Sequence, residues 1–444
     1  MANGPDSRMP TSSLRSNSAG FAPSPLSSLN ELPSSQKSAT VEWVAAIALA
    51  LPFVERPSTT LSAFLAMGLA VVATTLVHRD LGKVPFSPYF PFVLYLWWAA
   101  VSVIWSDHAG ATISNAVVHV TYLVTACCIV SSQTDYAGIV RVWRRAGCMY
   151  VAVSTALALA VPRYGRMMDP PFNGQWRGLA AHKSGFGTFA LLLGLPLLLD
   201  GLSSDGGRHR GRTIVVAAGF CGVILLSGSA TAIVALGCAI VFKVALYMRP
   251  ARGLRGRTAV YFVVPVGGAA ATLLWPLADD AASLVGRDSS LTGRTNLWSI
   301  VLKQIERRPL QGFGFHAQWH DPTGVTLRIW NAIHVKTSWT PAIAHNSGLE
   351  VLLSLGVVGL IIILFGYVQV ITRALRLASR DRTTWAVLPF MAVIVLTCYA
   401  VSERGIGQDQ GFFFLAFVAS IVIGANRLVA TDPGITRMEP VARE

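Results

Sequence analysis

The sequence predicts an all-α, polytopic integral membrane protein of about twelve transmembrane helices with a large periplasmic loop. Three observations carry this. Of 444 residues, 53% are hydrophobic and 13% charged, where a soluble domain carries about 25% charged residues. The apolar residues gather in runs of spanning length. The short loops between alternate runs are strongly basic. These features exclude an ordinary soluble enzyme, a disordered scaffold and a disulfide-stapled secreted domain.

Residues 1–40 are rich in Ser, Pro and Asn without periodicity and are expected to form a disordered cytoplasmic tail. No apolar core follows Met1, so the first span is expected to act as the signal anchor. Nine apolar runs then occupy 41–277, near 41–56, 58–77, 87–106, 111–131, 146–162, 184–200, 213–228, 230–248 and 258–277. Three more occupy 344–429, near 344–371, 385–402 and 411–429, followed by a short tail over 430–444. Two longer loops interrupt the series, at 163–183 and 278–343. Within the second, Leu297, Ile300, Val301 and Ile305 share one helical face, Pro309 ends the stretch, and the helix is expected to lie along the membrane surface.

Loop charge sets the orientation. Arg141, Arg144, Arg145, Arg208, Arg210, Arg212, Arg252, Arg255, Arg373 and Arg376, among others, share one side, whereas the short loops opposite hold Arg56 and Arg404. The basic side is therefore cytoplasmic, with both termini, and the two long loops are external. The net charge of +14 is explained by this asymmetry and not by a nucleic-acid partner.

The external loops are unexpectedly cationic. The first carries Arg177, His182 and Lys183 just before a span; the second carries Arg287 and Arg294, and His345 and Asn346 follow it at the next span. External loops are normally poor in Lys and Arg, so this set points to a polyanionic ligand, which guanidinium groups engage in pairs. Thr292-Gly293-Arg294-Thr295 opens the amphipathic helix, where free N–H groups favour an anion; taken alone, a helix cap explains it as well. Trp176 to Gly185 equally suits an interfacial anchor. Ala344-His345-Asn346 opens a long span. The dipole at a helix start opposes a cation, so His345 is expected to stay neutral and accept a proton, although a His facing a headgroup fits too. Glu350 lies inside the same span, where a carboxylate serves function or helix pairing. Ser227-Gly-Ser229 reads as small-residue packing, and Ser402-Glu403-Arg404 as an ion pair or a cavity wall.

Several cofactor classes find no support. No Asp-x-Asp, Walker or dinucleotide pattern occurs. The cysteines Cys127, Cys128, Cys148, Cys221, Cys238 and Cys398 lie in apolar runs without metal-ligand spacing. No metal and no cofactor is expected, so the substrate must arrive already activated.

Three stretches then combine. Gly293-Arg-Thr-Asn-Leu-Trp-Ser is followed by Arg308-Pro-Leu-Gln-Gly-Phe-Gly-Phe315 and by His345-Asn-Ser-Gly-Leu-Glu-Val-Leu-Leu-Ser-Leu-Gly-Val-Val-Gly359. Together with Trp176-Arg-Gly-Leu-Ala-Ala-His-Lys-Ser-Gly185, this resembles the O-antigen ligase/polymerase superfamily, and most of all its exopolysaccharide polymerases of the succinoglycan type. The resemblance implies a C-type-like membrane glycosyltransferase of the bacterial inner membrane. Such an enzyme uses undecaprenyl-diphosphate-linked oligosaccharide at the periplasmic face, without metal or nucleotide. The acceptor is another lipid-linked glycan in a polymerase and lipid A-core in a ligase. Other polysaccharide export proteins are expected partners. The resemblance implies that Arg177 and Arg294 hold the diphosphate and that His345 is the catalytic His. His182, Lys183, Arg287 and Asn346 complete the expected substrate set. Family members often carry a basic residue in the small-residue hairpin, where this chain has Gly228.

A transporter or flippase of lipid-linked glycan is the competing class. It would place polar residues near mid-membrane and show related halves, whereas here the spans are nearly uncharged at mid-depth apart from His119 and Glu350, polarity gathers at one face, and no internal repeat is seen. A structural partner in an export complex would not need the Arg/His set.

Overall fold

A computed structural model describes residues 34–55, 58–77, 89–169, 172–202, 210–247, 266–270, 291–320, 323–334, 342–380, 384–403 and 405–430. Contacts divide the chain into residues 1–40 and 41–444. Of the first unit, only 34–40 is described, and it is helical. Helix α1 thus spans Ser34–Ala50, beginning inside the segment expected to be a disordered tail.

The described residues are helical and contain no β-strand; one isolated bridge joins Arg166 and Trp176. The helices that follow are α2 (Thr59–Val77), α3 (Phe90–Val101), α4 (Ala109–Ser131), α5 (Tyr136–Ala160), α6 (Lys183–Leu202), α7 (Arg210–Leu226) and α8 (Ala230–Tyr247). After them come α9 (Leu291–Ile305), α10 (Gly324–His334), α11 (Ser347–Arg380), α12 (Leu388–Ser402) and α13 (Asp409–Ala430). Five described helical stretches are long and apolar enough to cross a membrane: Thr59–Val77, Ala109–Ser131, Lys183–Leu202, Ser347–Ala378 and Trp385–Ser402. The runs expected at 41–56, 87–106, 230–248 and 411–429 correspond to four shorter apolar helices, Ser38–Phe53, Phe90–Trp105, Ala230–Ala245 and Asp409–Gly424. The run at 258–277 lies mostly outside the described residues.

Burial explains how these helices associate. Phe53 packs its ring against Tyr150, Phe189, Phe413 and Phe414 at centroid distances of 5.1–6.3 Å. Trp143 stacks edge-on against Phe414 and Phe417, and its Nε1 donates to the Leu192 carbonyl at 2.9 Å. On the outside of α11, Ile361, Leu364, Phe365 and Val368 form an exposed apolar stripe with helical spacing, as a lipid-facing surface requires. Helix α5 begins ten residues before the expected run, capped by the Asp135 carboxylate on Gly138 N–H. Its early arginines are held by Glu42, with Arg141 Nε and Arg145 Nη1 at 2.8 and 2.7 Å.

The described part of the second long loop is folded. Leu297, Val301 and Ile305 of α9 and Val325, Ile329 and Ile333 of α10 form one apolar cluster with Phe313, Ala344 and Leu353. The α9 stripe therefore faces protein and not the membrane surface, because α10 and the start of α11 offer it an apolar partner.

Helix α11 is not continuous. Gly356 sits at φ 66° and ψ −167° and breaks it. The segment 309–314 patches the break. Phe313 and Gly314 N–H donate to the carbonyls of Leu353 and Ser354, each at 2.9 Å, and Val357 N–H donates to the Pro309 carbonyl at 2.8 Å. Trp98 Nε1 donates to the Leu355 carbonyl and Trp105 Nε1 to the Gln311 carbonyl. Irregular backbone is tolerated at membrane depth only when buried partners satisfy it in this way.

Candidate active site

His345 lies two residues before the start of α11 at Ser347. Asn346 caps that helix: its Oδ1 accepts from Leu349 N–H at 3.1 Å, and its Nδ2 donates to the Val401 carbonyl at 3.1 Å. The amide expected at the substrate thus joins α11 to α12. Ser347 Oγ donates to the Glu403 carbonyl at 3.0 Å and accepts from Gly405 and Ile406 N–H. These bonds fix the end of α12 against the start of α11.

The consequence is a pair that sequence reasoning did not assign. Nδ1 of His345 meets Oε2 of Glu403 at 3.1 Å. With Nδ1–H donating to the carboxylate, the neutral ring carries its lone pair on Nε2. His345 holds φ 51°, an uncommon backbone for a non-glycine residue, of the kind stored at functional sites. Burial alone pushes the Glu403 carboxyl up, but His345, Arg294 and His182 outweigh it and hold the group below the ordinary carboxylate value. Glu403 therefore stays ionised and orients the imidazole.

Two further contacts set the loop before His345. Trp298 Nε1, one turn beyond Arg294 on α9, donates to the Ala344 carbonyl at 2.8 Å. The buried Glu350 carboxylate accepts from Gln318 Nε2 at 3.1 Å, from Trp319 Nε1 at 2.9 Å and from Ala344 N–H. The intramembrane carboxylate thus pins two loops to one helix. Glu350→Ala removes the acceptor from three donors, and each loss costs about 1–3 kcal/mol. Thermal unfolding in detergent is expected to show a destabilisation of at least ~3 kcal/mol.

The cations lie around this centre. Arg294 and His182 both act electrostatically on Glu403. His182 Nδ1 accepts from Ser184 N–H at 3.3 Å, and its ring meets Phe172 edge-on at 5.5 Å. Burial lowers the pKa of His182 and outweighs the pull of Glu403. Lys183 Nζ sits 4.4 Å over the Phe172 ring and donates to the Gly228 carbonyl at 3.0 Å. The ammonium of α6 therefore stands at the small-residue hairpin, where this chain lacks a basic residue of its own. Ser227 and Ser229 beside it are buried, as packing residues would be. Arg177 is turned toward its own loop, with Nε and Nη2 donating to the Tyr164 and Arg163 carbonyls at 3.0 Å each. Arg287 lies outside the described residues. The described part of the site thus unites His345, Glu403, Arg294, His182 and Lys183. Glu403 is an acidic residue at a span end in the sequence, and only the meeting of α11 and α12 reveals its partner.

Chemically, the arrangement offers an oriented imidazole with a lone pair beside fixed cations. That suits deprotonation of a hydroxyl near a developing oxyanion. The chain is also similar to known proteins. The family profile described as O-Antigen ligase matches residues 214–364. The chain is also 25% identical over 357 residues to the exopolysaccharide production protein ExoQ of Rhizobium meliloti (strain 1021), across 77% of this chain and 80% of that protein. Both findings support placing this multi-pass membrane protein in the O-antigen ligase/polymerase superfamily, with a function of that general type.

Proposed function

We propose that the protein is a glycosyltransferase that polymerises undecaprenyl-diphosphate-linked repeat units in exopolysaccharide biosynthesis. The observation that carries this is the His345–Glu403 pair with Arg294 and Lys183 beside it. The site faces the periplasm of the bacterial inner membrane, and both termini are cytoplasmic; the basic loops on the opposite side support that orientation. An acceptor sugar hydroxyl attacks the anomeric carbon of the donor. His345 Nε2 takes the hydroxyl proton while Glu403 stabilises the imidazolium that forms. The bond to undecaprenyl diphosphate breaks, and Arg294 and Lys183 stabilise the charge growing on the leaving diphosphate; Arg177 joins them only by releasing the Tyr164 and Arg163 carbonyls. Direct displacement inverts the anomeric centre. The chemical step needs no metal, because fixed cations already supply the charge. Asn346 supports the site by holding the His345 backbone. The likeness to an exopolysaccharide production protein favours a growing lipid-linked glycan over lipid A-core as the acceptor. Other export proteins would then receive the polymer.

Reconstitution with lipid-linked repeat unit tests this reading. A ladder of lengthened lipid-linked glycan without lipid A-core supports it. A single transfer requiring lipid A-core would make the protein a ligase, and vectorial movement without transfer would make it a flippase. Arg294→Ala and Arg177→Ala are expected to raise the donor KM by about tenfold or more, as loss of a charge-assisted contact of roughly 1.5–3 kcal/mol requires. Steady-state kinetics with varied donor checks this.

A further inference from the structure

A second polar cluster lies at the other end of the segment that holds Glu403. His119 of α4, His316 of the 309–320 loop and Asp409 at the start of α13 place one donor atom each within 4.8 Å of one another. We propose that these three residues form a binding site for a divalent transition metal of the zinc class, serving to clasp the 403–409 segment.

The donor set is the first argument. Two imidazoles and a carboxylate suit zinc-class ions, whereas hard cations prefer all-oxygen sites. The second is the orientation of His119. Its Nδ1 donates to the Asn115 carbonyl at 2.8 Å, which leaves the lone pair on Nε2. A backbone carbonyl on the far nitrogen is the usual support of a metal-binding His. The third is the surroundings. His119 is buried, with Phe315 at 4.8 Å, Phe412 at 5.3 Å and Tyr122 at 5.6 Å from its ring. The His316 ring lies 5.1 Å away.

The fourth argument is the backbone. His316 holds φ 54° and Asp409 φ 47°. Two non-glycine residues of one cluster thus hold an uncommon backbone, of the kind found at functional sites. Nδ1 of His316 and Oδ1 of Asp409 are 3.8 Å apart. The His119 lone pair meets the N–H of Asp409 at 2.9 Å. Metal loading therefore turns residue 409 so that its carboxylate replaces its N–H. Metal bonds of about 2.0–2.2 Å also draw the donors together by about 1 Å.

The clasp acts on the candidate site through the chain itself. Asp409 is joined to Glu403 by a short segment already bonded to Ser347 and, through Gln408 Nε2, to Ser354 Oγ at 3.3 Å. The metal takes no part in the transfer step, and its binding is independent of the transferase reading.

The test uses full-length protein in detergent, stripped with a chelator and titrated with Co²⁺, then competed with Zn²⁺. The expected result is one Co²⁺ per chain with visible ligand-field absorption and no thiolate charge-transfer band. Binding should weaken at least tenfold in His316→Gln and in Asp409→Asn, and remain in His108→Gln, a control at an imidazole outside the cluster that bonds Thr323 Oγ1 at 2.9 Å. A featureless wild-type titration would overturn the proposal without any variant. So would a thiolate band, which would assign the ion to cysteine, or binding unchanged in both His316→Gln and Asp409→Asn.

Discussion

His345→Ala is expected to lower glycan transfer by about 10²–10⁴-fold, the range for removing a general base. The protein should still insert and elute as the wild type does, because the fixed bonds around this residue run through its neighbours. Asn346 caps α11, Ser347 binds the 403–406 segment, and Trp298 and Glu350 hold Ala344. Glu403→Gln separates orientation from basicity. Glutamine keeps a polar contact with Nδ1 but loses the charge that stabilises the imidazolium. Its kcat should fall by less than that of His345→Ala, with the donor KM little changed. Wild-type turnover by His345→Ala would remove the base assignment. Equal losses in kcat and in donor binding for Glu403→Gln would mean that the carboxylate supports the whole cavity and not the ring.

The largest structural effect is expected at Gly356. Its φ of 66° and ψ of −167° belong to a region open essentially to glycine alone, at about 1–3 kcal/mol for any other residue. A Cβ there would also fall onto the backbone of Leu310 and Gln311. Overpacking against backbone adds about 1–3 kcal/mol. Gly356→Ala should therefore destabilise the protein by about 2–6 kcal/mol, enough to lower the yield of monodisperse protein severely. Gly312→Ala, at φ 69° against the Ser354 backbone, should do the same. Gly219→Ala, with open space at its Cβ, is the control and should be neutral. Unfolding midpoints in detergent measure all three. A midpoint for Gly356→Ala equal to that of the control would show that the break in α11 is not needed.

The apolar runs revealed the membrane class and most helix positions, because hydrophobic length is a local property. They did not reveal the break in α11. Leu353 to Leu360 is uninterrupted in hydropathy, and Gly356 there reads as a packing residue. What breaks the helix is a set of backbone partners some forty residues earlier. The spacing of Leu297, Val301 and Ile305 showed an apolar face, but periodicity names no partner, and the face is covered by α10 and α11. His345 and Lys183 were legible as polar residues at span ends, and Arg294 at the start of the amphipathic helix. Glu403 was visible as a charge in the same place, yet its role depends on which helix end it meets. The His119, His316 and Asp409 cluster was invisible to spacing rules, since its members come from three distant segments.

The patched break also limits how relatives of this protein can exchange parts. Residues 309–314 are bonded to 353–358 through paired main-chain groups, so one inserted or deleted residue in either stretch shifts every later pairing. Helix α10, within the 320–342 interval, packs on Phe313 and Leu353 of the paired stretches. A chimaera that swaps only the long loop would therefore mismatch its own helix. The smallest interchangeable module is 291–358 moved as one piece, because α9 and α10 pack on Phe313, Ala344 and Leu353.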